Sequence, residues 1–122
     1  MNRSLLLAGV LGASGVAAGA MGAHALESVV TPERIEIWNT AAQYHLIHAV
    51  VILVLAVQSR INAWLPILAM TAGVVLFSFS LYALVLLDMT ALAMITPIGG
   101  LLLIAGWLLL CTKAFAEGEP KP

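Results

Sequence analysis

The sequence has few charged residues and a single cysteine, and both shortages exclude classes of protein. Asp, Glu, Lys and Arg make up 9% of the 122 residues, whereas hydrophobic residues make up 62%. A chain of this size folded in water leaves much of its surface in solvent, so it could not hide so many apolar side chains. Cys111 alone excludes an internal disulfide bond. The composition therefore predicts an integral membrane protein.

Motifs of known enzymes are also absent. The chain contains no GxSxG, no HExxH, no phosphate loop and no pair of carboxylates within an apolar segment. Its first apolar segment lacks the carboxylate on which small multidrug-type exporters rely, which argues against proton-coupled transport. A net charge of −1 gives no indication of nucleic-acid binding. We expect no enzymatic activity, no cofactor and no nucleic-acid partner.

Four apolar segments are each long enough to span a bilayer, which requires about 20 helical residues. Short polar connections join them, so consecutive segments must be antiparallel. The pattern predicts an all-α membrane protein, a four-transmembrane-helix antiparallel bundle that forms a single domain over residues 1–122. The predicted helices cover residues 4–24, 32–58, 63–87 and 91–112, and a polar tail follows at 113–122.

The first segment has an alternative interpretation as a secretory signal peptide. Arg3 precedes its apolar run, and Ala23-His24-Ala25 resembles a cleavage site. The run is longer than the roughly 7–15 residues of a typical signal-peptide core. We therefore expect a retained transmembrane helix.

The second segment begins with an amphipathic stretch that extends beyond the bilayer. Thr31, Pro32 and Glu33 are typical of a helix start, with Thr as N-cap and Pro at the first helical position. The early part is polar on one face, which predicts a surface extension anchored by an interfacial Trp38. The opposite stripe should face other protein. That stripe contains Trp38, Ala41, His45, His48 and Ile52.

Glycines and one proline predict close packing and a helix break. Glycines on one face of the first segment allow a neighbouring backbone to approach, although the alternative is that glycine is merely tolerated there. They are Gly12, Gly15, Gly19 and Gly22. In the fourth segment Pro97 removes a backbone hydrogen bond and, with Gly99 and Gly100, predicts a kink or local unwinding.

The positive charges predict the orientation in the membrane. Only Arg34 lies on one side of the predicted bundle, and the other lysines and arginines lie opposite, namely Arg3, Arg60, Lys113 and Lys121. The positive-inside rule then places both termini in the cytoplasm. We expect a multi-pass protein of a bacterial-type inner (plasma) membrane.

Polar side chains from all four segments fall in the half of the bundle opposite the termini. The candidate polar cluster comprises His24, Tyr44, His45, His48, Ser80, Tyr82, Asp88 and Thr96. One interpretation is hydrogen bonding between helices, with Asp88 as an interfacial or capping residue. A second is a small-molecule, lipid or proton-linked site, because ionisable groups inside a membrane are often functional. A third is a metal site with His24, His45 and His48 as ligands and Asp88 as an oxygen donor.

Four motifs follow one another along nearly the whole chain. They are GAMGAHAL (19–26), WNTAAQYHLIHA (38–49), FSFSLY (77–82) and TPIGG (96–100). In order and spacing they resemble the family called domain of unknown function 423, which includes the YgdD-like inner-membrane proteins and the vertebrate transmembrane protein 256. The resemblance implies a small polytopic membrane protein with no established activity or catalytic residues. It also implies that the motif residues, including His24, Tyr44, His48, Ser80, Thr96 and Pro97, form one site or one packing core.

These observations lead to one expected function and one alternative. We expect a non-enzymatic membrane bundle that lies in the lipid bilayer and acts through helix packing with itself, as a homo-oligomer, or with a membrane-protein partner. The alternative is binding or transport of a small molecule, lipid or metal ion through the candidate polar cluster. The two differ in whether the polar side chains face one another or face a ligand.

Overall fold

The computed structural model describes residues 1–117 and contains four long helices and no strand within that range. Each helix is long and apolar enough to cross a membrane. The predicted fold, a four-transmembrane-helix antiparallel bundle, is confirmed. The helices are α1 (Arg3–Ala25, ending in the π-helical turn Met21–Ala25), α2 (Pro32–Val57), α3 (Trp64–Leu87, with a π-helical turn at Val75–Phe79) and α4 (Thr96–Glu117).

The start of α2 follows from its capping residues and its amphipathic pattern. The Thr31 hydroxyl accepts the backbone N–H of Arg34 at 3.3 Å, and Pro32 occupies the first helical position. Glu33 and Glu36 are exposed, as a surface extension requires. The stripe predicted to face protein is buried along its whole length, since none of its members is more than 4% exposed.

The predicted role of Trp38 as an interfacial anchor is wrong. Its side chain is 3% exposed and packs 4.5 Å, centroid to centroid, from the ring of Tyr82. Its indole N–H donates to the backbone carbonyl of Ala18 at 2.6 Å. Trp38 lies on the buried stripe of α2, so its ring packs against other helices and does not face the membrane surface.

The bundle has two central and two outer helices. Helices α2 and α3 contact each other, α1 packs along α2, and α4 packs along α3. We call the end that contains residues 26–31 and 88–89 the Arg34 end, and the end that contains Arg3 and residues 58–63 the terminal end. One apolar core lies towards the terminal end, around Leu11, Ile52, Met70, Val74 and Leu103. The other lies towards the Arg34 end, around Ala18, Leu26, Trp38, Leu84 and Val85.

The four glycines of α1 that were predicted to pack closely divide into two pairs. A Cβ added at Gly15 would lie 2.8 Å from Leu46 Cδ2, and one added at Gly22 would lie 2.7 Å from Trp38 Cδ1, so both glycines allow α2 to approach. In the described chain no atom lies within 4 Å of a Cβ added at Gly12 or Gly19, so these two do not pack inside the bundle. Residues seven apart return to nearly the same helical face, and the two pairs are about 60° apart around the axis.

The fourth segment differs from its prediction at both ends. A 3₁₀-helix at Thr90–Met94 precedes α4, so the local unwinding comes before Pro97, which lies in the first turn of α4 where its missing N–H is tolerated. At the other end α4 continues to Glu117. The predicted polar tail is therefore helical from residue 113 to 117, where lysine and alanine are good helix formers. The rest of that tail, including Lys121, lies outside the described residues.

Candidate functional site

His45 connects three helices through both of its ring nitrogens. Its Nε2 lies 3.0 Å from the hydroxyl of Ser14 on α1, and its Nδ1 lies 2.9 Å from the hydroxyl of Tyr82 on α3. His45 belongs to α2, and its side chain is almost completely buried in the bundle. It therefore joins α1 and α3 to α2 at one level of the bundle.

The hydrogen-bond partners of His45 determine which of its ring nitrogens carries the hydrogen. Ser14 Oγ lies 2.8 Å from the carbonyl of Val10 and donates to it, so it accepts the His45 Nε2–H. A buried imidazole is neutral unless a charge compensates it, so Nδ1 carries no hydrogen and accepts the Tyr82 hydroxyl. No basic nitrogen then faces the Ser14 hydroxyl. This is not the arrangement of a serine nucleophile with its base.

His48 makes the second pair of buried imidazole bonds. Its Nδ1 lies 2.7 Å from the carbonyl of Tyr44 and must donate to it. Its Nε2 accepts the indole N–H of Trp107 at 3.1 Å, which joins α2 to α4. His48 is thus the opposite neutral tautomer to His45.

Hydroxyl groups complete the polar contacts of α3. The buried Ser78 hydroxyl donates to the carbonyl of Ala41 on α2 at 2.7 Å. Ser80 and Thr96 share a hydrogen bond of 2.7 Å between their hydroxyls, which joins α3 to the start of α4. In residues 1–117 no buried side-chain nitrogen or oxygen lacks a hydrogen-bond partner.

Asp88 lies at the Arg34 end of the bundle, outside the buried bonds. It is the C-cap residue of α3, with φ of 53°, and its carboxylate lies 2.6 Å from Arg34 Nη2. Arg34 Nη1 also donates to the carbonyl of Leu84 at 3.3 Å. Because the Asp88 side chain is 84% exposed, this ion pair contributes little to stability and mainly aligns the ends of α2 and α3.

The structure divides the candidate polar cluster into separate contacts. Tyr82 binds His45, Ser80 binds Thr96, and His48 binds Trp107. His24 is exposed on the last turn of α1 and takes part in none of these bonds. Over the described 117 residues, no three His, Cys, Asp or Glu side chains lie close enough to hold a metal ion. The three histidines therefore do not form one ligand set.

Three residues that form hydrogen bonds between helices, Ser14, Ser78 and Trp107, were not among the predicted polar residues. Ser14 is a hydroxyl residue in an otherwise apolar part of α1, and hydroxyl side chains of transmembrane helices commonly bond to neighbouring helices, so the sequence could have indicated it. Trp107 lies roughly 16 Å along α4 from Thr96, far from the interfaces where tryptophan is usual. Such a depth is itself a signal of a specific contact. Ser78 lies in the motif FSFSLY, two residues before Ser80, so the motif could have indicated it as well.

Comparison with known proteins supports the resemblance seen in the motifs. The family described as "Protein of unknown function (DUF423)" matches residues 18–100, more than half of the chain. The chain belongs to the DUF423 family. A UPF0382 membrane protein of Staphylococcus haemolyticus is 38% identical over 122 residues, which cover 94% of this chain and 97% of that protein. The UPF0382 membrane protein YwdK of Bacillus subtilis is 35% identical over 93% of this chain and 97% of its own length.

The name of a third relative includes a membrane compartment. The UPF0382 inner membrane protein YgdD of Escherichia coli is 38% identical over 114 residues, which cover 90% of this chain and 87% of YgdD. No solved structure matches the chain. The DUF423 match includes His45, His48 and Tyr82 but neither Ser14 nor Trp107, their partners on the outer helices. This protein is thus a small polytopic membrane protein of a family whose function is not established.

Proposed function

We propose that this DUF423 protein is not an enzyme and that its intramembrane polar residues hold the four helices together. The observation that supports this most strongly is that both ring nitrogens of His45 and of His48 already have partners within the chain. A metal ligand or a general base needs a nitrogen lone pair that faces its target. Helix association in lipid, by contrast, depends on packing and on such hydrogen bonds, because the hydrophobic effect does not act between helices there.

The two histidine tautomers provide a direct test. In ¹⁵N NMR spectra of the protein in bilayers, His45 is expected to be protonated at Nε2 and His48 at Nδ1. Addition of Zn²⁺ is expected to leave both rings unchanged, whereas the exposed His24 ring serves as the internal control for weak surface binding. Zinc-dependent shifts of His45 or His48, or the same tautomer in both rings, would contradict the proposal.

We further propose that the protein lies in an inner (plasma) membrane with both termini in the cytoplasm. Arg3, Arg60 and Lys113 occupy the terminal end, and the positive-inside rule assigns that end to the cytoplasm. At the opposite end Arg34 is paired with Asp88, which reduces its effective charge. The name of the relative YgdD, an inner membrane protein, supports the same compartment.

The outer face of α1 is the surface that we propose for contact with a second copy of the chain. A shallow groove of about 530 Å³ runs along it, lined by Asn2, Leu5, Leu6, Gly9, Val10 and Ala13. Gly9 and Ala13 are four residues apart, and small residues at this spacing let two transmembrane helices approach closely. In a two-fold symmetric dimer, side chains from the same face of a second α1, such as Leu6 and Val10, would pack into this groove.

Crosslinking between single cysteines tests this contact. In a Cys111→Ser background, Ala13→Cys is expected to form disulfide-linked dimers under mild oxidation in the membrane. Leu108→Cys, which faces lipid on α4, is the matched control and is expected to remain monomeric. Equal yields from both positions, or no dimer from Ala13→Cys, would count against a homo-oligomer through α1.

A further inference from the structure

A small cleft opens towards the lipid between α2 and α4. Its volume is about 220 Å³, and α3 forms its floor. The helices leave this gap because α4 packs on α3 and reaches α2 through the Trp107–His48 hydrogen bond. The walls include Tyr44, His48, Phe77, Gly100, Ile104 and Trp107.

The walls of the cleft are mainly aromatic. The rings of Tyr44 and Phe77 lie 4.7 Å apart, and the ring of Trp107 stands at 71° to that of His48 with the centroids 6.1 Å apart. Gly100 has no side chain to fill the space, and a Cβ added there would still lie 3.8 Å from Phe77 Cδ2. The walls thus contain two pairs of rings in contact, Tyr44 with Phe77 and His48 with Trp107, and their exposed faces and edges offer a bound ring the offset or edge-to-face contacts that aromatic rings prefer.

One polar group at the cleft remains available to a ligand. Within residues 1–117 the Tyr44 backbone carbonyl accepts a hydrogen bond from His48, but the Tyr44 hydroxyl forms none. Tyr44 is 42% exposed, so its hydroxyl can be reached from outside the bundle. Tyr44 lies roughly 18 Å along α2 from Pro32, within the part of the helix that crosses the hydrocarbon. A hydroxyl without a partner in hydrocarbon is unfavourable, so an oxygen atom of a bound molecule would stabilise it.

We propose that this cleft binds a neutral molecule that is dissolved in the bilayer and whose flat ring carries a hydrogen-bonding oxygen, as in a phenol or a quinone. The cleft is larger than the roughly 150 Å³ cavity that holds benzene, and smaller than the 300–1,000 Å³ or so typical of drug-sized ligands. Its opening faces lipid, so the molecule enters from the membrane. Binding adds to the proposed non-enzymatic role and uses neither ring nitrogen of His48.

Two related probes test the proposal with the full chain in lipid nanodiscs. The probe 2-naphthol carries the oxygen, and naphthalene is the same ring system without it. Binding is measured as saturable uptake above that of empty nanodiscs. The wild-type chain is expected to bind one 2-naphthol, and Tyr44→Phe is expected to weaken it about fivefold, the effect of one hydrogen bond. The affinity for naphthalene should not change in Tyr44→Phe.

A blocking variant and its control locate the bound probe. Gly100→Leu places a side chain in the cleft and is expected to abolish saturable binding of both probes. Gly12→Leu, where the added side chain meets open space, is expected to bind as the wild type does. Unfolding in detergent confirms that each variant is folded. Uptake no greater than that of empty nanodiscs, or an equal loss in both leucine variants, would overturn the proposal, and so would equal weakening of both probes by Tyr44→Phe.

Discussion

Gly99→Ala is expected to lower the free energy of unfolding by about 3 kcal/mol, at the upper end of what overpacking usually causes. A Cβ at Gly99 would fall on the backbone of α3, in contact with the nitrogen of Phe77 and 2.6 Å from the carbonyl carbon of Leu76. Backbone atoms cannot move aside as the end of a flexible side chain can. The start of α4 must therefore separate from α3, which also strains the Ser80–Thr96 hydrogen bond.

The neighbouring glycine provides a matched control for this effect. A Cβ at Gly100 meets Phe77 Cδ2 at an ordinary contact distance of 3.8 Å. Gly100→Ala is therefore expected to be neutral or slightly stabilising, because alanine favours a helix more than glycine does. Both variants can be unfolded with sodium dodecyl sulfate in mixed micelles and followed by tryptophan fluorescence. Similar unfolding midpoints for the two would show that the close approach of α3 and α4 does not depend on Gly99.

His45→Ala is expected to destabilise the bundle by about 3 kcal/mol, because it leaves a cavity and removes hydrogen bonds to two other helices. The hydroxyl of Tyr82 loses its partner in a part-buried position, which is unfavourable in itself. Ser14 is less affected, since its hydroxyl still donates to the carbonyl of Val10. Equilibrium unfolding in mixed micelles measures the loss.

His24→Ala is the control for the removal of a histidine. His24 is exposed, so its loss is expected to change stability by less than about 0.5 kcal/mol. A double-mutant cycle of His45→Ala with Tyr82→Phe isolates the bond between the two side chains. The combined loss should be smaller than the sum of the separate losses, because the second change removes a group that already lacks its partner. Equal stability of the His45 and His24 variants would refute a structural role for His45.

The hydrogen bonds are distributed so that each helix contact in the bundle has at least one. Ser14 and His45 join α1 to α2, His45 and Tyr82 join α2 to α3, and Ser80 and Thr96 join α3 to α4. The His48–Trp107 bond adds a direct link from α2 to α4. Inside a membrane, apolar side chains gain little by leaving lipid for protein, so such bonds and close backbone packing determine which helices associate.

The sequence by itself determined the number of spans, their approximate limits and the buried face of α2. Hydropathy and the helical period are local properties, so they identified four spans and a stripe from Trp38 to Ile52 that is buried in the structure. The motifs also identified the DUF423 family correctly. The spans and the buried stripe need only residues that are close together in the chain, and the family needs only the order and spacing of the motifs.

The tertiary structure alone decided which side chains meet. The rotation of α1 about its axis turns Gly15 and Gly22 towards α2 and leaves Gly12 and Gly19 open. The relative depth of α2 and α4 pairs His48 with Trp107, while His24 joins neither histidine. Rotation and depth depend on the packing of all four helices at once, and a small change in either exchanges one hydrogen-bond partner for another. Periodicity within one helix contains no information about its offset from the next.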